Sequence, residues 1–271
     1  MRNEIIDNIP SHLRGYAEST ISVANETPNV FGILAAGSMI DNTMDKWSDL
    51  DLIILVEDEN SFRNRRKDFA KSIGNLLSCF VGFHVFEPKL LICLYDKPLA
   101  HIDLKFTETS DLLIRVETPL LLWSKTDKFS KKIQKTLDMG RAEWPSKSYE
   151  WFENRFWIWI HYVATKTGRG EYYESVSGLG MIRDQVLCQL MAMQTGAKER
   201  NARRIEQSPV FPSTHLHKTV PNPSHRSCCN AIQATIDIYE NLFPVSNISA
   251  QLELRNSVKS FVKALMVKIE P

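Results

Sequence analysis

The sequence predicts an α+β fold: a mixed sheet with flanking helices, followed by a helical bundle. Short apolar runs with strand-like alternation recur between Phe31 and Trp123. From about Ser148 the pattern turns helical and aromatic-rich, with Trp151, Phe152, Phe156, Trp157, Trp159, Ile160 and Val163 covering most of one helix, so that helix should be buried. A length of 271 residues suits one large or two modest domains, and the change of pattern divides it into residues 1–145 and 146–271.

In chain order, residues 3–25 read as one amphipathic helix, with Ile5, Ile9, Leu13, Tyr16, Ile21 and Val23 on one side and Pro10 near its start. Phe31 to Ala36 is a short buried strand that ends in Gly37-Ser38. Asp49-Leu50-Asp51-Leu52 opens a second strand that continues through the apolar Ile53 to Val56. Asp58-Glu59-Asn60-Ser61 caps a helix predicted to run to about Leu77, on the spacing of Phe62, Phe69, Ile73 and Leu76. Arg63, Arg65, Arg66 and Lys67 form its solvated basic face.

Strands are then predicted at Cys79–Phe86, Leu90–Tyr95 and Ala100–Phe106, the last two joined by the turn Asp96-Lys97-Pro98. Pro119 to Trp123 extends the sheet, and Lys125, Lys128, Lys131, Lys132 and Lys135 mark a solvated linker or short helix. Further helices are predicted over 171–196, 225–243 and 248–268, interrupted by Pro209, Pro212, Pro221 and Pro223.

Composition narrows the function. With 33 basic against 32 acidic residues the net charge is +1, so no basic excess calls for a nucleic-acid partner. Five cysteines, an odd number without disulfide-like spacing, point to free thiols in a reducing compartment. The N-terminus lacks a signal-peptide layout and no run approaches the roughly 18 apolar residues of a membrane span, so a cytoplasmic location is expected. His215, His217, His225, Cys228 and Cys229 match no usual zinc spacing and are read as loop and core residues. Arg183-Asp184, inside an apolar helical pattern, reads as a buried polar pair.

The chemistry concentrates between Phe31 and Glu57. Gly37 leaves the backbone free of side-chain bulk beside the Ser38 hydroxyl, a turn suited to phosphate. The strand period of two puts Asp49 and Asp51 on one face, while Leu50 and Leu52 point to the other. Two carboxylates so placed repel one another, and a hard divalent cation that also takes phosphates, magnesium foremost, is the natural counter-charge.

Gly37-Ser38, ten residues, then Asp49-Leu50-Asp51 resembles the nucleotidyltransferase signature of the DNA polymerase beta-like superfamily. The resemblance implies a nucleoside triphosphate on the Gly-Ser turn, Mg²⁺ on Asp49 and Asp51, and a third acid from a later strand. Asp103 in His101-Ile102-Asp103-Leu104-Lys105-Phe106 is the match, since alternation sends it to the face opposite Ile102, Leu104 and Phe106. The second half is similar to the helical domain of antibiotic nucleotidyltransferases, the aminoglycoside and lincosamide enzymes, on the run Trp157 to Lys166 followed by Gly168-Arg169-Gly170-Glu171. That similarity implies that Lys166 reaches the triphosphate. By residue type alone, Lys166 is equally a solvated lysine favoured by the dipole at a helix C-terminus.

The implied activity is Mg²⁺-dependent transfer of AMP from ATP, or of another NMP from its NTP, to a hydroxyl of a small molecule, an aminoglycoside or lincosamide. Asp103 is the expected general base, with Glu171 the next candidate. Two alternatives stay open: the same chemistry on a protein hydroxyl or metabolite, and a catalytically silent nucleotide-binding protein.

Overall fold

In the computed structural model, which describes residues 2–243 and 251–267, a six-stranded sheet in the order β3-β4-β5-β2-β1-β7 frames the first half. Helices α1 (Arg2–Asp7) and α2 (Ser11–Glu26) lead into β1 (Val30–Ala35) and β2 (Leu50–Val56). Where the sequence predicts one helix over 3–25, Pro10 divides it: lacking an N–H and fixed in an extended conformation, it caps α2 and forces the chain to restart. Tyr16 on α2 then donates its hydroxyl to the carbonyls of Asp96 (2.9 Å) and Pro98 (2.8 Å), tying the helix to the turn at a cis Lys97-Pro98 bond.

The predicted helix after β2 is shorter and broken. It comprises α3 (Glu59–Phe62), a 3-10 turn at Arg63–Arg65 and α4 (Arg66–Ile73), after which β3 (Leu76–Gly82) begins. Leu76 therefore belongs to the sheet, where it faces Tyr95, because strand pairing after Gly74 outweighs local helical spacing. Arg66 also departs from the basic face assigned to it. It is 3 % exposed, paired with the buried Glu59, and donates to the Pro88 carbonyl at 2.8 Å.

β4 (Glu87–Tyr95) and β5 (Ala100–Thr107) follow, and β5 runs parallel to β2. A two-residue strand β6 (Ile114–Arg115) pairs with β8 (Arg141–Ala142), while β7 (Leu120–Ser124) closes the sheet beside β1. The lysine-rich stretch forms helix α5 (Asp127–Met139), capped by the Thr126 side chain. One sheet face buries Leu50, Leu52, Ile54, Ile102 and Leu104 with α2 and α4, in a single core cluster. On the other face Leu34 and Leu55 pack with Ile133 and Leu137 of α5. That second cover stops short of the strand ends carrying Asp51 and Asp103, both of which keep partial exposure.

The chain divides into two units at Trp144/Pro145. The second is helical: α6 (Tyr149–Gly168), α7 (Tyr172–Ile182), α8 (Cys188–Thr195), α9 (Phe211–Thr214), α10 (His225–Leu242) and α11 (Leu252–Val267). Ser148 caps α6, whose Phe152, Phe156, Trp157, Ile160 and Val163 are at most 1 % exposed, as its all-round apolar pattern requires. The predicted helix over 171–196 is two, joined by a π-helical turn at Arg183–Leu187. Arg183 donates to the Thr219 carbonyl at 3.3 Å. Of the helix predicted over 248–268, positions 248–250 and 268 lie outside the described residues. Among the described residues, no helix is long and apolar enough to cross a membrane.

Candidate active site

The site starts where β1 ends. The Ala36 N–H donates to the Asp51 carbonyl at 3.0 Å, and the chain then turns through a 3-10 segment at Gly37–Met39. Gly37 has φ +57, and a Cβ placed there collides with the Asp51 carboxylate. Glycine is thus required twice, by the left-handed backbone and by the close approach of Asp51. Ser38 is buried, and its carbonyl accepts the Thr43 N–H at 3.0 Å, which closes the turn on itself.

Asp51 and Asp103 are register partners across the parallel pair β2/β5, so their side chains leave the same face of the sheet on adjacent strands. Asp49, just before β2, is close enough for its charge to act on Asp103. Burial pushes the Asp103 carboxyl above its ordinary range and Asp49 adds to the rise, while His101 and His84 oppose it. His101 Nε2 lies 2.9 Å from Asp103 Oδ1. The sequence reading assigned His101 no role, although it stands two residues before Asp103 and the strand period alone places both on one face.

Below the acids a cavity of about 360 Å³ is lined by Asp51, Asp103, Glu87, Lys105, Asp111 and Arg115 among others. Its two cations are already engaged. Lys105 pairs with Glu87 at 2.6 Å, and Arg115 donates to the carbonyls of Leu112 and Leu137, both at 2.9 Å. A larger hollow of about 590 Å³ beside α5, lined by Phe31, Phe129, Lys125 and Lys132, contains none of the predicted site residues.

Lys166 lies near the end of α6 in the second unit, where its Nζ is 2.7 Å from Glu171 Oε2 and over the Tyr162 ring at 5.2 Å. The candidate triphosphate lysine and the alternative general base therefore bond to each other. His225 Nδ1 and Cys229 Sγ are 3.5 Å apart, one turn along α10.

The donor set fits magnesium in kind: three carboxylates offer hard oxygens, and the raised Asp103 carboxyl marks a place where added positive charge is favourable. Asp51 and Asp103, adjacent on one face, are the pair that would hold the ion, and the charge of Asp49 acts on Asp103. Among the described residues, however, no three His, Cys, Asp or Glu side chains are already grouped to hold a metal.

A family profile described as streptomycin adenylyltransferase matches residues 14–257. The chain belongs to the streptomycin adenylyltransferase family. It is a nucleotidyltransferase, and a nucleoside triphosphate is its co-substrate. The match runs through both units, so it takes in the helical half of the chain as well as the sheet. Among solved structures, an aminoglycoside 6-adenyltransferase from Bacillus subtilis is similar at 10% identity and a TM-score of 0.39, over 95% of this chain and 99% of that one. No curated protein matches the chain significantly.

Proposed function

We propose that the protein transfers AMP from ATP to a hydroxyl of a small polyhydroxylated antibiotic of the streptomycin and aminoglycoside class, releasing pyrophosphate. One observation supports this most: two acids in register on parallel strands, the first packed against a glycine turn with positive φ. In this reading the backbone N–H groups of Gly37 and Ser38, with the Ser38 hydroxyl, hold the β- and γ-phosphates. Asp51 and Asp103 would hold Mg²⁺, with Asp49 the further candidate, and the ion when bound would neutralise phosphate charge and favour the developing pyrophosphate.

The acceptor oxygen forms a bond to the α-phosphorus as the bridge to the β-phosphate breaks, and Asp103 takes the hydroxyl proton. His101 fixes Asp103 through Oδ1, so it acts as a positioning residue. Lys166 supports the triphosphate once released from Glu171. The near-zero net charge fits a small acceptor better than a nucleic acid, and ATP use fits the cytoplasmic location expected from the unpaired cysteines.

The test is transfer of labelled AMP, with pyrophosphate release, from each NTP with Mg²⁺ across streptomycin, other aminoglycosides and lincosamides. ATP-dependent labelling of one of them, abolished in Asp51→Asn, is expected. Full activity in Asp51→Asn, or ATP and Mg²⁺ binding without transfer to any acceptor, would sink the proposal.

A further inference from the structure

The register of the sheet continues past the acids. Phe80 on β3 faces Ile92 on β4, Ile92 faces Asp103 on β5, and Asp103 faces Asp51 on β2. Direct register partners present their side chains on one face, so these four residues form a single row on the side carrying the candidate site. The phosphate turn at Gly37 stands at the β1 end of that row. An in-line displacement puts the attacking hydroxyl on the far side of the α-phosphorus from the leaving pyrophosphate. With the pyrophosphate held toward β1 and Asp103 receiving the proton on β5, the acceptor extends in the remaining direction, over β4 and β3.

What lies there is not needed by the core. Cys79, Val81, Leu91, Cys93 and Tyr95 point to the opposite face and pack into the core cluster. Phe80 stays 54 % exposed, its ring 5.5 Å from that of His84, and Leu94, the register partner of His101, is 40 % exposed. An aromatic left in water on the same face as an acidic group suits a ligand with an apolar ring face and a positive charge. At strand spacing, Phe80 stands roughly 10 Å across the sheet from Asp103, a span suited to a molecule of about two rings.

Resting on the AMP-transfer reading above, we propose that Phe80 is the stacking platform of the acceptor subsite, with His84 beside it, and that it sets acceptor affinity without taking part in the chemistry. The exposed faces of β3 and β4 thus distinguish multi-ring cationic acceptors from single-ring ones.

Wild type, Phe80→Ala and Phe80→Trp are compared for acceptor KM, ATP KM and kcat, with streptomycin as first probe and its binding measured separately by calorimetry. Phe80→Ala should raise acceptor KM and weaken acceptor binding about tenfold, leaving kcat and ATP KM within about twofold, and Phe80→Trp should restore both. Unchanged acceptor KM in an active Phe80→Ala protein would overturn the subsite while leaving AMP transfer intact, as would a rise in ATP KM instead. A wild-type dimer that Phe80→Ala dissociates would reassign the face to a second copy of the chain. Wild type that binds ATP but neither binds nor modifies any aminoglycoside would remove the transfer reading and this subsite together.

Discussion

Asp103 in the sheet unit and Glu153 in the helical unit are both carboxylates drawn largely out of water, with 20% and 8% of their side chains exposed, yet they titrate in opposite directions. For both, burial is the largest influence and disfavours the charged form. Glu153 overcomes it: Arg255 donates to both its oxygens at 2.7 and 2.8 Å, the Tyr239 hydroxyl donates at 2.7 Å, and its carboxyl is held below the ordinary range. Asp103 meets His101 at hydrogen-bond distance, the charge of His84 and the opposing charge of Asp49, and its carboxyl stays above. The helical unit satisfies this buried charge from within, whereas the Asp103 carboxyl of the sheet unit is left where added positive charge would stabilise its ionised form.

The sharpest way to break that contrast is to remove one charge from each place. Asp51→Asn should cut kcat/KM for AMP transfer by at least about 100-fold, the scale of a single lost electrostatic contact to the transition state, without lowering the melting temperature. Gly37→Ala should damage activity comparably, because its Cβ displaces the Asp51 carboxylate. Arg255→Met should behave in the reverse manner. Stranding Glu153 costs roughly 3 kcal/mol of stability, read by denaturant unfolding, while the folded fraction keeps its activity. The Glu153→Met, Arg255→Met double variant should regain much of that loss, since neither charge is then left alone.

Acid titration separates the two carboxylates by sign. Glu153, held below its ordinary 4.5, contributes stability that is complete above that pH and disappears as pH falls through its lower folded value. Asp103, raised above 3.8, does the opposite, because folding disfavours its charge and protonation relieves the cost. Melting temperatures between pH 7 and pH 3 should therefore fall less steeply for Glu153→Gln than for wild type, and more steeply for Asp103→Asn. Parallel curves for all three proteins would contradict the contrast.

The same contrast explains what the sequence disclosed. Gly37, Asp49 and Asp51 were legible because a tight turn and a strand of period two are local, and Asp103 because its own alternation pointed it away from the core. That β5 would lie parallel and next to β2 is a pairing across some fifty residues which no local pattern carries. Glu153 and Arg255 are 102 residues apart and come together only through the packing of α6 and α11, so neither stood out as a charge with a purpose. Arg66 looked like part of a basic surface for the same reason, its partner Glu59 and its Pro88 contact being products of the fold. The spacing of His101 alone places it on the face of Asp103, but nothing local marks a histidine as the partner of an acid.

The smallest expected effect concerns Lys166, which tests whether the helical unit contributes to the chemistry as well as to the core. Its bond to Glu171, at the exposed end of α6, raises its proton affinity, and such a surface pair adds little to stability. Lys166→Met should leave the melting temperature within about a degree. If Lys166 leaves Glu171 for the triphosphate, the substitution raises ATP KM several-fold, and Glu171→Gln, which frees the lysine, leaves ATP KM equal or lower. Were the pair only a helix-end contact, the two substitutions would have the same negligible effect on ATP KM. A fall in kcat in Glu171→Gln, with ATP KM unchanged, would instead move the general base from Asp103 to the helical unit.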